Sequence, residues 1–442
     1  MSFKKLLAAL LLAAPVFACA EEAVTNNGQN PSAQTWRTLE ALTAEEKTVV
    51  DLRRATPRSS EYPYMPAEVY PFAPPYTAEE VGYRLMNYTH RGRWSHILAD
   101  SFGTITHTGY LTQGALLAMV NQVGGGNGTA GQLNARPGDI HSLQLFHHVY
   151  PPRNNGRQTL WVMRRTGPQH TSKLDSFSYL PSLRRVRRSP APRREESFPN
   201  TVPGYDDVAG RDAWELSWRF VGADVLYQTV RFPDNRPKIT MTRANGKYYD
   251  QATADIRMMG DEYPYYRADG GIDCFVVVAE PDPEWLPDYG VSKIVYWVDQ
   301  HYFYPLRTER YDRNGNLKTI EVRVAKRENR ALPDWQGYAS LLFVHHEINA
   351  DLMSYYVHTG HLAREWSDEE QTYFTPDFMR RDWLIYARKS HALIDRPEEF
   401  FLRPQLFADR FPAERSIVIA PEVVARSRAQ DEAGHLLFGS DE

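Results

Sequence analysis

The sequence predicts a mainly β, α+β protein whose centre is one large, curved antiparallel sheet. From about residue 101 onward, apolar and polar side chains alternate with a period of two, as in strands that bury one face. Two signals for hairpin turns interrupt the alternation, Asn245-Gly246 and the run Asp312–Asn316. Long helical patterns do not separate the strands, so the βαβ alternation of a parallel sheet is missing. A strongly curved or partly closed antiparallel sheet with a few helices is therefore expected.

The chain begins with a pattern typical of a secretory signal peptide. Two lysines precede an apolar run over residues 6–17, and small residues precede the first acidic side chain. We therefore predict that residues 1–20 form a signal peptide and that the protein is exported to the periplasm. The same stretch loosely resembles a lipobox, but Phe17 is bulky where such sites hold a small residue. Lipid anchoring at Cys19 is thus the less favoured alternative.

Composition is that of an exported, soluble, acidic protein. The formal net charge is -4, and loss of the two lysines of the signal peptide changes it to about -6. Cys274 would then be the remaining cysteine, and its apolar strand "IDCFVVVAE" predicts a buried, inert thiol without a disulfide. The 26 Tyr, 19 Phe and 10 Trp suit sheets and apolar pockets.

One helix is predicted ahead of the sheet. Residues 21–76 are predicted to be an N-terminal segment, flexible over the polar residues 21–40 and extended over the body in the proline- and tyrosine-rich residues 55–76. A capping box of Thr77 and Glu80 then begins a helix whose apolar face includes Val81 and Leu85.

The main domain is predicted over residues 77–384 and a C-terminal extension over 385–442, and the last hundred or so residues are expected to be mixed helix and loop. Its strands are predicted, in order, at "GTITHTGYLT", "DIHSLQLFHHVY", "TLWVMRRT", "SFSYLPSLRRV", "WELSWRFVG", "LYQTVRF", "KITMTRANGKYYD", "IDCFVVVAE", "KIVYWVDQHYFYPLRTERYDRNGNLKTIEVRV" and "YASLLFVHHEI".

An arginine cluster stands out, with six arginines in the twelve residues from Leu183 to Arg194. A nucleic-acid site would call for a basic domain, whereas this chain is acidic and exported, and prolines and carboxylates break the run. The stretch "YLPSLRRVRR" instead predicts a strand with Tyr179, Leu183 and Arg185 on one face.

The motifs of common enzymes are missing from the sequence. "QVGGGNGTAG" lacks the lysine of a phosphate-binding loop, and no G-x-S-x-G, H-E-x-x-H or C-x-x-C occurs. We predict no cofactor and no metal. A metal-dependent or hydrolytic enzyme remains the rival, and "VHTGHLA" is expected to form a turn. The candidates for such an enzyme are His345, His346, Glu347, His358 and His361.

Three blocks of sequence resemble one family. They are "SYLPSLRRVRRSPAPRREESFPNTVPGYDDV" with the Trp218–Gly222 strand after it, "IVYWVDQHYFYPLRTERYDRNGNLKTI", and "HTGHLAREWSDEEQTYFTPDFMRR". Over roughly residues 44–384 the chain is similar to the family called domain of unknown function 1329, which resembles outer-membrane lipoprotein-sorting proteins. Residues 385–442 extend past the usual end of that family.

The resemblance implies a fold like that of the lipoprotein carriers LolA and LolB, an incomplete antiparallel barrel with helices covering its open side. It implies a periplasmic carrier or chaperone for a lipid, a lipidated protein or another apolar compound, without catalysis. Partnership with an inner-membrane exporter or outer-membrane proteins is implied as well, and a non-catalytic assembly factor is a further alternative. The cavity wall is predicted to include Trp161, Met163, Phe275, Val277, Tyr296 and Val298.

The arginine cluster is predicted to stabilise the domain. In this hypothesis one of the arginines at 184, 185, 187 and 188 pairs with Asp206 or Asp207 and fixes the intervening loop across the rim of the sheet. A solvated, charged edge strand is the alternative.

Overall fold

The structure is a computed structural model of the 442-residue chain. It describes residues 35–56, 73–86, 95–106, 109–123, 138–167, 173–190, 193–227, 238–242, 248–252, 256–327, 337–350, 352–363, 366, 368–380, 384–386 and 400–402. The predicted signal peptide, the glycine-rich loop and most of the predicted C-terminal extension lie outside these residues.

Fourteen strands form one sheet in which every pairing is antiparallel, which confirms the predicted fold class. The sheet is unclosed: its order is β1-β8-β11-β12-β13-β14-β15-β16-β2-β3-β4-β5-β6-β7, so β1 and β7 are its edges. The remaining strands form two separate pairs, β9 with β10 and β17 with β18. The strands are β1 (Arg37–Thr38), β2 (His96–Thr106), β3 (Gly109–Gln122), β4 (Ile140–Tyr150), β5 (Gln158–Arg164), β6 (Leu174–Leu180), β7 (Arg185–Ser189), β8 (Leu216–Leu226), β9 (Lys238–Thr242), β10 (Tyr248–Ala252), β11 (Ile272–Pro281), β12 (Val291–Asp299), β13 (Pro305–Asp312), β14 (Leu317–Arg327), β15 (Tyr338–Glu347), β16 (Leu352–Ala363), β17 (Leu384–Tyr386) and β18 (Phe400–Leu402).

Helices are few and short in the described ranges. They are α1 (Ala44–Val49), α2 (Ala78–Arg84), α3 (Tyr205–Ala209) and short stretches of 3-10 helix at Leu39–Ala41, Pro152–Asn154, Ala213–Glu215, Glu369–Phe374 and Phe378–Arg380. As predicted, Thr77 caps α2, because its hydroxyl accepts from the Glu80 N–H while the Glu80 carboxylate accepts from the Thr77 N–H. None of these helices is long and apolar enough to span a membrane.

The strand register assigns side chains to two faces of the sheet, because opposed residues of neighbouring strands point the same way. We call the face that carries the following two rows the inner face, and the opposite one the outer face. The first row, in sheet order, is Val277, Tyr296, Thr308, Glu321, His345, Ser354 and Thr104. The second row is Leu98, Ala118, Phe146, Thr159, Ser178 and Arg187.

The sheet curves around the segment that holds α3. In this segment Asp207 lies 2.9 Å from the Arg310 guanidinium of β13, while Ala209 packs against Met163 of β5. Seven strand spacings separate β13 from β5, which is about 34 Å across a flat sheet. Two residues of helix advance only about 3 Å. A single short helix can therefore touch both strands only if the inner face is concave.

The outer face is closed by apolar side chains from loops and 3-10 turns. Met258, Met259 and Tyr263 bury the half made by β11–β15. Tyr373 and Phe378, from the 3-10 turns near the end of the described chain, do the same over β2–β5. The free thiol of Cys274 is buried within the first of these clusters, as its apolar strand predicts.

Three local predictions were wrong. "GTITHTGYLT" is not one strand but crosses the β2–β3 hairpin, and "YLPSLRRVRR" crosses the β6–β7 hairpin at residues 181–184. Because of the second error, Tyr179 and Arg185 do not share a face as predicted: Tyr179 lies on the outer face and Arg185 on the inner one. The predicted turn "VHTGHLA" is instead part of strand β16. A bulge between His358 and Gly360 lets the strand continue past the glycine.

Part of the N-terminal segment predicted to be flexible is built into the fold. Strand β1 pairs with β8, and Leu42 and Val50 are buried in the core beside α2. The indole of Trp36 packs edge-on against Trp297 at 5.6 Å. The few apolar residues that anchor this segment lie among many polar ones, so the composition did not reveal them.

Candidate ligand-binding site

One half of the inner face is already filled by the chain itself. Phe275, Val277, Tyr296 and Val298, four of the side chains predicted to line a cavity, are at most 1% exposed. The residues that cover them come from α2 and from nearby loops, and include Val81, Leu85, Trp214 and Phe303. These four positions belong to a closed core and offer a ligand no surface.

The other half of the inner face keeps half-buried aromatic side chains. We call this region the cleft and define it by Phe102, Phe146, Trp161, Phe343 and Tyr356. Phe102 stacks on Tyr356 at 5.7 Å, and Phe146 meets Trp161 edge-on at 4.7 Å. These rings lie on the concave face and are still partly open to solvent, so together they form an apolar surface.

The floor of the cleft is aliphatic. Leu98, Leu116, Ala118 and Val120 form one buried cluster, and Phe102 and Phe146 pack against it. The ring of Phe102 lies directly over Gly114, where a Cβ atom would come within 2.1 Å of the ring. Glycine at this position therefore lets the aromatic ring lie flat against β3.

The two β5 residues predicted to bind ligand lie on the inner face, but in different surroundings. Trp161 is half-buried at the cleft, where the ring of Phe198 stacks on it at 5.6 Å and 15°. Met163 is completely buried beneath Ala209 of α3. Of the six predicted positions, Trp161 is the one that the structure leaves accessible from the cleft.

Neutral histidines border the cleft. Burial lowers the pKa of His148 to about 4 and that of His358 to about 3. The Nδ1 atom of His358 lies 3.9 Å from an Asp100 carboxylate oxygen. These imidazoles are uncharged at neutral pH, so they add polarity to the cleft without adding charge.

A chain of buried ion pairs runs beside the cleft and joins the α3 segment to the sheet. Cations and anions alternate along it through contacts such as Arg165–Asp212 at 2.6 Å and Arg211–Asp207 at 3.2 Å. We call it the ionic chain. Its members, in order, are Arg165, Asp212, Lys173, Glu215, Arg194, Asp206, Arg211, Asp207, Arg310, Glu321 and Arg323.

Mutual contacts favour the charged forms of Asp207 and Arg194 in the ionic chain despite their burial. Burial alone would raise the pKa of the Asp207 carboxyl, but Arg310 and Arg211 outweigh it and lower that pKa below its ordinary value. Burial likewise opposes the charge of Arg194, while Asp206 and Glu215 raise its pKa well above the ordinary value. The ionic chain therefore fixes the α3 segment inside the concave face.

The ion pairs of Asp206 and Asp207 differ from those predicted. Asp206 accepts from Arg194 at 2.9 Å, and Asp207 contacts Arg211 and Arg310, so neither acid pairs with Arg184, Arg185, Arg187 or Arg188. Those four arginines are exposed on β7 and its turn, and Arg188 pairs with Asp175. The loop is fixed by a later arginine of the cluster, because the β6–β7 hairpin turns the earlier ones toward the edge of the sheet.

The histidines of the rival enzyme hypothesis do not all lie on one face of the sheet. His345 lies on the inner face and His346 on the outer one, because adjacent residues of a strand point to opposite sides. Glu347 follows at the end of β15, and the ring of Phe343 lies 5.2 Å from the ring of His358. His361, on β16, is opposite Leu98 of β2. Within the described residues, no group of three or more His, Cys, Asp or Glu side chains could hold a metal ion.

Sequence reasoning missed most of the cleft. Like Trp161, these residues lie in strands with alternating apolar and polar side chains: Phe102, Phe146, Phe343 and Tyr356. The alternation alone could therefore have assigned them to one face of the sheet. What could not be read was which half of the inner face the N-terminal segment would cover, because that depends on contacts between residues far apart in the chain.

The comparisons with known proteins agree with the motifs. A family model described as protein of unknown function (DUF1329) matches residues 37–380 and confirms the resemblance found in the sequence. A search of curated proteins finds no matching relative.

Three solved structures are similar to the chain. A domain assigned to outer membrane lipoprotein sorting from Vibrio parahaemolyticus is 15% identical with a TM-score of 0.45, and the alignment covers 69% of this chain and 97% of that one. A DUF1329 family protein from Desulfovibrio piger is 14% identical with a TM-score of 0.45, covering 68% and 97%. A LolA superfamily protein from Nitrosomonas europaea is 12% identical with a TM-score of 0.38, covering 69% and 99%.

Proposed function

We propose that this chain, which belongs to the DUF1329 family, binds an apolar ligand in the cleft and carries it within the cell envelope. The observation that carries the proposal is the contrast between the two halves of the inner face. One half is sealed to 0–1% exposure by the chain's own side chains, while the other leaves five aromatic side chains half-buried over an aliphatic floor.

Burial of apolar surface would supply the affinity. Each Å² removed from water contributes about 25 cal/mol, so an acyl chain or a similar hydrophobic group covered by the cleft gains several kcal/mol. This driving force has no direction and grows with the apolar area that is covered, so the cleft would discriminate poorly among apolar ligands of similar length. The pattern of a signal peptide at residues 1–20 supports an envelope location, where such ligands need a carrier to cross water.

The direct test is native mass spectrometry of the mature protein, purified from the periplasm without detergent, followed by organic extraction. A reproducible added mass that extracts as a lipid or another apolar compound is expected. A protein that is empty and also fails to bind the neutral apolar dye N-phenyl-1-naphthylamine would refute the proposal.

A paired substitution locates the ligand. Trp161→Ala removes an aromatic wall of the cleft, and we expect it to weaken dye binding about tenfold, since a tenfold change corresponds to about 1.4 kcal/mol of lost contact. Phe177→Ala is the control: Phe177 is also half-buried, but it lies on the outer face of the neighbouring strand β6. Equal losses in the two variants would mean that the dye does not bind in the cleft.

A further inference from the structure

We propose that the ligand is an amphiphile with one anionic head group, a phosphate, sulfate or carboxylate, and that Arg185 and Arg187 bind this head at the free edge of the sheet. The inference rests on the proposed function, because the apolar part of the amphiphile must lie in the cleft. It gives two exposed arginines of the cluster a role that the ionic chain does not give them.

The two arginines lie on the same face of the sheet as the cleft. Arg187 is opposite Ser178 on β6, Ser178 is opposite Thr159 on β5, and Thr159 is opposite Phe146 on β4. Arg187 therefore continues the inner-face row that contains Phe146. Strands β5 and β7 are two spacings apart, about 10 Å, so an amphiphile with its chain over Trp161 has its head group within reach of β7.

Charge on this rim is not neutralised by the protein. Across the described ranges, Arg185 and Arg187 are exposed and have no acidic partner. Two other exposed arginines of the cluster do have one: Arg188, on the outer face, pairs with Asp175, and Arg193 pairs with Glu195. Among the described arginines of the cluster, those without an acidic partner are thus Arg185 and Arg187, on the side that borders the cleft, and Arg184 in the turn before them. The formal net charge of the protein is -4.

The spacing and chemistry suit one oxyanion. Residues two apart on a strand are about 7 Å apart and point the same way, so both guanidinium groups can converge on a single head group. A planar guanidinium donates two parallel hydrogen bonds to a phosphate or carboxylate, which an ammonium cannot do. The hydroxyl groups of Ser176 and Ser178 lie on the same face of β6 and add neutral donors between the arginines and the aromatic rings.

The turn ahead of these arginines adds a third cation to this edge of the sheet. Arg184 ends the β6–β7 turn at φ +49° and is exposed directly beside Arg185.

The experiment compares ligands that share one chain and differ in the head. Hexadecyl phosphate, hexadecanoate and hexadecanol, each below its aggregation limit, displace N-phenyl-1-naphthylamine from the full-length mature protein. We expect wild type to bind hexadecyl phosphate at least tenfold more tightly than hexadecanol. This ratio of the two affinities should fall as salt is added. In Arg185→Gln/Arg187→Gln we expect the ratio to fall below about threefold while hexadecanol affinity stays unchanged, since only the charge-assisted contacts are lost.

A charge-matched control separates local from general electrostatics. Arg219→Gln/Arg267→Gln removes two arginines whose side chains are 56% and 43% exposed elsewhere on the surface, and should leave the wild-type ratio. A ratio near one in wild type, or an equal fall in both double variants, would overturn the head-group site. Because hexadecanol has no charge, failure to bind it would instead refute the apolar cleft.

Two further arms identify the source of the anion. Inorganic phosphate at millimolar concentration should compete with hexadecyl phosphate only weakly, because it lacks the chain. If the Arg185/Arg187 double variant instead lowered only the binding to phosphatidylglycerol vesicles and left the head-group ratio intact, the arginines would contact a membrane surface, and the proposal would be wrong.

Discussion

Arg194 occupies the middle of the ionic chain and touches two carboxylates at once. Its Nε lies 2.9 Å and 3.0 Å from the oxygens of Asp206, while its two terminal nitrogens lie 2.6 Å and 2.9 Å from those of Glu215. All five donors of a guanidinium sit in one plane, so a single arginine can clamp two acids in this way and a lysine cannot. Glu215 is fully buried and Asp206 is 1% exposed, so both depend on this partner for compensation.

Loss of Arg194 should therefore destabilise the protein strongly. We expect Arg194→Ala to lower the free energy of unfolding by about 3–5 kcal/mol, because it removes the nearest cation from two buried carboxylates. The neighbouring Arg193→Ala is the control, since the Arg193 side chain is 73% exposed and its pair with Glu195 should contribute at most about 1 kcal/mol. Urea unfolding of both variants measures the difference, and similar midpoints would show that the ionic chain does not stabilise the α3 segment.

At the scale of elements, the N-terminal segment closes one half of the inner face and leaves the other open. Strand β1 pairs with β8, and from there the chain runs through α1 to α2, which packs over β8 and β11. The contact is close at Gly222, where a Cβ atom would lie 1.9 Å from the Arg37 carbonyl oxygen. Backbone cannot move aside as a side chain can, so this approach requires glycine.

We expect Gly222→Ala to detach β1 from the sheet without unfolding the rest. The free energy of unfolding should fall by about 1–3 kcal/mol, and limited proteolysis should cut ahead of α1 sooner than in wild type. Gly114→Ala is the matched comparison: its Cβ would meet only the tip of the Phe102 ring, which can rotate into the cleft. That variant should keep its stability and change ligand binding instead. If Gly222→Ala is cut ahead of α1 no faster than wild type, then the pairing of β1 does not depend on this contact.

At the scale of the whole molecule, burial of neutral histidines links stability to pH. Burial lowers the pKa of His345 from its ordinary value of 6.5 to about 4, with Glu321 opposing the shift and Arg310 adding to it. His147, His148 and His358 are shifted in the same direction, mainly by burial. Below about pH 6.5 the unfolded chain takes up protons that the folded one refuses, so stability is complete at neutral pH and falls as the pH approaches 4.

The contribution of His345 can be isolated. Between pH 7 and pH 5 it should account for about 2 kcal/mol of the lost stability, so His345→Leu should show a shallower decline than wild type. Asp207 and Arg323 also lie near this imidazole. Because the pKa of Asp207 is lowered, its carboxylate stays ionised over that range. Thr308→Val, in the same inner-face row, is the control. Chemical unfolding at pH 7 and pH 5 measures the free energy of unfolding of each variant. If wild type and His345→Leu lose equal stability, groups other than His345 cause the pH dependence.

The sequence by itself determined the class of the fold and much of its local structure. Alternation of side chains fixed the strands, since it follows from the geometry of the extended backbone, and Asp312–Asn316 marked the turn in which Gly315 adopts φ +80°. The Thr77 cap was readable for the same reason, because its donors and acceptors lie within four residues. Three motif blocks were enough to indicate the family.

Only the tertiary structure decided where the open surface lies. The β6–β7 turn at residues 181–184 reversed the chain, so positions expected on one face of one strand lie on opposite faces of two, and Arg194 rather than Arg185 or Arg187 reached Asp206. Likewise, Phe275 and Trp161 are both inner-face aromatic residues, yet the first is sealed and the second half-open. Their difference comes from what packs on them from distant parts of the chain, a sum of many long-range contacts that no local pattern encodes.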